Sequence, residues 1–138
     1  MSVNEGDRKD SRLEVLVKGK KLASYTIRIC CNEKWFPNIY KNAITDRIIS
    51  IATDIFTKCW TANNIRVENN PEKAKRRCGL QTEAHDECNE LLSLMQIAQE
   101  VFHLRARRMK YWGELTVSVR NLISAWKERD SSRYNLLL

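Results

Sequence analysis

Few side chains in this 138-residue chain combine the type and the spacing that chemistry requires. Glu100 and His103 form a Glu-x-x-His pair, the unit that helical bundles use in duplicate, with further glutamates, to hold two irons. The chain has a single copy, on the polar side of its helical pattern, away from Ala98 and Phe102. His85 and Cys88 stand three apart and share a helix face, but two ligands fall short of the set a metal needs. Glu83, Glu87 and Glu90 repeat as a solvated helical face does. "KGKK" lies inside a helical pattern and lacks the glycine spacing of a phosphate loop. The cysteines, Cys30, Cys31, Cys59, Cys78 and Cys88, are odd in number and contain no CxxC pair. Three fall on apolar helix faces, which fits small buried hydrophobes in a reducing compartment. A thiol nucleophile would also need a basic partner in a partly exposed setting. The expectation is a protein that is not an enzyme and carries no metal or cofactor.

The basic residues are more informative. Lys and Arg number 24 against 17 Asp and Glu, a net charge of +7 that attracts polyanions at long range. They gather in three places: Lys18, Lys20 and Lys21; Lys73, Lys75, Arg76 and Arg77; and Arg105, Arg107, Arg108 and Lys110 within "RARRMKYW". The first three point in different directions around a helix, as solvated lysines also do. "KAKRR" likewise spreads around its helix, which fits an arm projecting beyond the fold. Arginine dominates the third cluster, and its planar fork suits bidentate phosphate contacts. Tyr111 beside it has the shape to stack on an unpaired base or to pack as a shoulder, whereas Trp112 falls on a core stripe.

The elements that must carry these clusters are helices. With four glycines and two prolines the chain has little turn chemistry, which favours a few long helices over many short strands. From Leu13, Val15, Leu22 and Ile29 recur at helical spacing until Pro37 disfavours helix at Phe36. Gly19 marks a candidate close contact on this helix. A second pattern spans Ile39 to Asn64, with Ile44, Ile48, Ile51, Ile55, Cys59 and Ala62 in one stripe and Ile49, Ala52, Phe56 and Trp60 widening it. Asn70 and Pro71 read as the N-cap and first residue of a third helix. Its stripe is Ala84, Cys88, Leu91, Met95, Ala98 and Phe102, and it runs to Leu104. The fourth begins near Arg108, buries Trp112, Leu115, Val119, Leu122, Ile123 and Trp126, and ends within "KERDSSR".

Short connections make neighbouring helices antiparallel. The expected fold is all-α, an up-down-up-down four-helix bundle over residues 13–130, with a frayed segment at 1–12 and a tail at 131–138. On the third helix Leu94, Ile97, Val101 and Leu104 add a second apolar stripe, more than a monomer needs, and they are the expected subunit interface. No apolar run approaches the ~18 residues of a membrane span, and the first residues have no hydrophobic signal core. A cytoplasmic protein with no membrane partner is expected.

Particular residues resemble a known family. "FPNIYKNAITDRI" is similar, through Phe36, Pro37, Tyr40, Lys41, Ile44, Asp46, Arg47 and Ile48, to a helix junction in a bacterial four-helix-bundle family. That family includes proteins encoded in intervening sequences of the large ribosomal RNA gene and the accessory variability determinant proteins of diversity-generating retroelements. "ANN" at 62–64 resembles the close of its second helix. Gln81, Ala84, Leu91, Leu92 and Ala98 resemble its third, and Leu122, Trp126 and Lys127 its last. The likeness covers Leu13 to Asp130, with departures at the more basic "RARRMK" and in the extra cysteines. It implies a small basic bundle assembling as a homopentameric ring, with RNA and a reverse transcriptase as partners and complementary-DNA synthesis supported without catalysis. DNA is the alternative polyanion. A protein–protein scaffold whose charge serves solubility is the alternative reading.

Overall fold

The computed structural model describes the backbone of residues 5–135 and the side chains of residues 12–135. Among them are four α-helices: α1 (Glu5–Cys30), α2 (Asp46–Asn64), α3 (Pro71–Phe102) and α4 (Ala106–Arg133). Helical backbone thus begins at Glu5, within the segment expected to be frayed, and α4 reaches into the expected tail. Residues 1–4 and 136–138 lie outside the described residues. Among the described residues no helix is long and apolar enough to cross a membrane.

Side-chain pairs fix the antiparallel order. Along α1 and α4, Lys18 meets Ser118 while Thr26 meets Trp112, so one number rises as the other falls. Arg47 and Lys58 of α2 reach Glu90 and Glu87 of α3. Arg77 and Asn89 of α3 reach Asp130 and Arg120 of α4. Each helix packs on its chain neighbours and α4 closes on α1. The core fills the centre with Val15, Leu22, Ile48, Ile55, Leu91, Met95, Val119 and Ile123, among others, flanked by Trp112 and Trp126, all essentially solvent-free. Gly19 is buried against α2, where an added methyl would meet the Phe56 ring at 3.5 Å, an ordinary van der Waals contact.

The connections show how the ends are held. After α1 the carbonyl of Asn32 accepts from the backbone N–H groups of Trp35 and Phe36 at 3.1 and 2.8 Å. That turn buries Phe36 with its ring centroid 4.8 Å from Phe102 and 6.1 Å from Trp112. Beyond Pro37 the expected continuous second helix is built in three pieces. A 3-10 turn (Asn38–Tyr40) passes into a π-helical turn (Lys41–Thr45) and then into α2. Asn70 caps α3 as its residue type dictates, its side chain accepting from the N–H groups of Glu72 and Lys73, with Pro71 in the first turn. At 32 residues α3 is about 48 Å long.

The "KAKRR" arm does not project. Ala74, Arg77 and Gln81 continue the buried stripe of α3, and α3 runs unbroken through Gly79 onto the end of α4. The second apolar stripe also divides. Leu94 and Leu104 are 4% and 7% exposed and belong to the core of the single chain, whereas Ile97 and Val101 are 51% and 41% exposed. Leu94 adjoins the arc of Leu91 and Met95. Leu104 follows the left-handed His103 that ends α3, and this reversal turns it inward.

Candidate nucleic-acid interface

The charged corner is a three-residue reversal. His103 adopts φ 54°, ψ 46° and its N–H bonds to the Gln99 carbonyl; Leu104 anchors inward; Arg105 is extended and leads into α4. Arg105, Arg107, Arg108 and Lys110 therefore all sit in the first turns of one helix. That placement opposes the helix dipole, whose N-terminal end is positive and favours acidic side chains. α2 and α3 obey the rule with Asp46 and Glu72 in their first turns; α4 has no acid there and no side-chain cap. Among the described residues none of the four cations forms an ion pair. First-turn N–H groups without helical acceptors and three guanidiniums share one small region, a combination that binds anions.

The four residues do not act alike. Arg108 stacks over the Trp35 ring, its guanidinium carbon 3.3 Å from the ring centroid, and its charge reaches the Tyr25 hydroxyl. Tyr25 meets Tyr111 edge-on with centroids 4.9 Å apart. Burial pushes the Tyr25 hydroxyl pKa up, and the Arg108 charge opposes that shift. Arg105 and Arg107 are exposed and free of such contacts. Lys110, one turn beyond Arg107, lines a shallow groove with Leu92 and Met109.

The tyrosine pair joins the corner to the first cluster. Lys20, Lys21 and Arg28 line a small groove of about 240 Å³ floored by Tyr25 and Tyr111. Arg28 is the contributor that sequence reasoning missed, although it lies one heptad beyond Lys21 on the same face. Lys18 stands apart, its Nζ 3.1 Å from Ser118 Oγ and 3.4 Å from Glu14.

The remaining cluster is elsewhere. Lys73, Lys75 and Arg76 are exposed at the start of α3, roughly 40 Å of helix from the corner. Lys75 lies 4.0 Å from Glu72. Arg77 does not share the exposed surface of its three neighbours: it is 3% exposed and held by Asp130. The other side chains with potential chemistry are dispersed. Glu100 and His103 are exposed at the end of α3. Burial pushes the thiols of Cys30, Cys59 and Cys88 up to about 12, which suppresses their thiolates. Comparison with protein-family models, curated proteins and solved structures finds no match for this chain.

Proposed function

We propose that this protein is a non-enzymatic, RNA-binding accessory protein, the partner of a reverse transcriptase in a diversity-generating retroelement. The observation that carries RNA binding is the start of α4, where Arg105, Arg107 and Arg108 crowd the positive end of a helix with no acid to balance them. Self-repulsion of that kind lowers stability, and a polyanion relieves it. Lys20, Lys21 and Arg28 extend the positive surface along α1. Tyr111, 42% exposed, offers an aromatic ring beside the corner on which an unpaired base could stack. The polymerase partner and the five-membered ring rest on the resemblance of the helix junctions; in a ring the corner would recur around the axis and weak contacts would add.

Binding of a labelled single-stranded RNA at several salt concentrations tests the proposal. Arg105→Gln with Arg107→Gln should weaken it at least about tenfold and flatten its log–log salt dependence. Unchanged affinity would remove the corner from the interface. The alternative, an oligomeric scaffold without nucleic acid, is favoured by the exposed Ile97 and Val101 on α3. It predicts assembly with no RNA binding.

A further inference from the structure

The opposite end of the bundle holds a second convergence of arginines. Four of them, Arg12 of α1, Arg66 of the α2–α3 connection, Arg77 of α3 and Arg133 of α4, line one cavity of about 560 Å³. The sequence scatters them over 122 positions, from 12 to 133, so no local pattern announces the cluster. The fold gathers them because all four helices have an end or a turn here. The connection is held close by two consecutive residues in left-handed conformation, Glu68 at φ 46° and Asn69 at φ 62°. Its Val67 is buried, and the Val67 carbonyl accepts from the Asn70 N–H at 2.8 Å.

Among the described residues the charge in the cavity is not balanced. Asp130 neutralises Arg77. Arg12, Arg66 and Arg133 have no ion pair among the described residues, and Glu68 is the single acidic residue in the lining. Arg77 contributes differently. Its Nε and Nη2 donate to Asp130 and its Nη1 to the Ile65 carbonyl at 3.3 Å. A guanidinium has five N–H donors, so one on Nη1 and one on Nη2 lack an acceptor among the described residues. Those donors belong to a side chain that is 3% exposed and lines the cavity. A buried donor without an acceptor is costly, and an anion entering from the open side would satisfy it.

We propose that this cavity is a binding site for a phosphate monoester. The volume lies within the range of small-ligand pockets. Forked guanidiniums from several directions match the three acceptor oxygens of a terminal phosphate, whereas an extended phosphodiester backbone suits an open surface such as the corner. Tyr134 packs against two of the forks, with the Arg133 and Arg77 guanidinium carbons 5.4 Å and 5.9 Å from its ring centroid. The phosphate can come from a free mononucleotide or from the 5′ end of an RNA strand. The site does not depend on the corner's role.

Calorimetric titration of the full chain with adenosine monophosphate and with adenosine tests the site. The monophosphate should bind and adenosine should not. Arg66→Gln with Arg133→Gln, both at exposed positions, should weaken monophosphate binding at least about tenfold, equivalent to about 1.4 kcal/mol. Arg105→Gln with Arg107→Gln should leave it unchanged, so failure here and failure of the corner are separately visible. A short oligoribonucleotide with a 5′-phosphate is then compared with its 5′-hydroxyl twin. A gain from the phosphate that disappears in Arg66→Gln/Arg133→Gln identifies the RNA end. Equal binding of the two oligomers, with the monophosphate still bound, identifies the free nucleotide. Equal binding of adenosine and its monophosphate, or full monophosphate affinity in the double variant, overturns the proposal.

Discussion

Arg77 and Asp130, 53 positions apart in the chain, meet as a buried two-pronged ion pair, with Nε 2.6 Å from Oδ2 and Nη2 3.3 Å from Oδ1. Gln81 adds a third bond to the same carboxylate at 2.7 Å. This pair seals one end of the bundle between α3 and α4. Asp130→Ala should destabilise the fold by about 3–5 kcal/mol in urea unfolding, because it strands a buried cation. Arg77→Met combined with Asp130→Leu should recover most of that loss. The residual deficit is the orphaned Gln81 amide, about 1 kcal/mol.

The corner arginines should separate by their effect on stability. Replacing Arg105 and Arg107 with Gln removes cations from the positive end of α4 and should raise stability by about 0.3–1 kcal/mol. The same change should lower the salt slope of RNA binding by about 0.7 for each phosphate that is no longer neutralised. Arg108→Ala should instead cost about 0.5–1 kcal/mol, because it uncovers the Trp35 ring. Thermal unfolding beside RNA titration reads both effects.

Lys58 stands between α2 and α3 with its ammonium hydrogen-bonded to Glu87 and 3.6 Å from Glu83. Burial pushes the Glu87 carboxyl above its ordinary pKa, and Lys58 opposes that shift. In Lys58→Met the opposition is gone and the folded-state pKa of Glu87 rises further. A carboxyl with a raised folded pKa takes up protons on folding, so stability falls as pH climbs from the unfolded value through the folded one. The variant should be destabilised at neutral pH by about 1–3 kcal/mol, between the values for exposed and buried pairs. Its deficit should shrink as pH drops toward the ordinary carboxyl range. A deficit independent of pH would assign the loss to packing of the lysine stem.

The thiols should divide by burial. Cys30, Cys59 and Cys88 are buried, Cys78 is intermediate and Cys31 is exposed. Iodoacetamide at mildly alkaline pH should label Cys31 first in the native protein. The three buried thiols should react only on unfolding, because their raised pKa leaves almost no thiolate. Mass spectrometry of the labelled peptides would show it, and RNA binding should survive labelling of Cys31.

Assembly is checked at α3. The exposed Ile97 lies outside the monomer core, so Ile97→Glu should leave helicity intact while dissociating any oligomer that uses this face. Light scattering at micromolar concentration reads the mass. A monomeric parent protein would refute the ring.

Much of the architecture is written in spacing. The stripe Ala84, Cys88, Leu91, Met95 and Ala98 is buried along its length, and Asn70–Pro71 starts α3 by side-chain chemistry alone. The same three-and-four spacing runs backward through Gln81, Arg77 and Ala74, all buried. There the polar residue types conceal it, because a buried arginine needs a partner that sequence distance hides. A helical wheel sets Leu104 on the outer stripe, but α3 ends at Phe102 and the wheel does not apply past a left-handed residue. The turns from Asn38 to Thr45 have no compositional signature distinct from ordinary helix. Of the candidate surface, the corner is visible as a run of arginines. Its junction with Lys20, Lys21 and Arg28 is not, since it depends on α1 lying against α4.

The stacking of Arg108 on Trp35 gives the corner an optical reporter. Indole emission responds to a cation held against the ring face, and this cation lies 3.3 Å from the ring centroid. Trp112 and Trp126 are sealed in the core, and Trp60 lies on α2, away from the start of α4. An anion that draws Arg108 outward would change the spectrum of Trp35 and leave the other three indoles nearly silent. Occupancy of the corner would then be legible in the protein's own fluorescence, without a label on either partner.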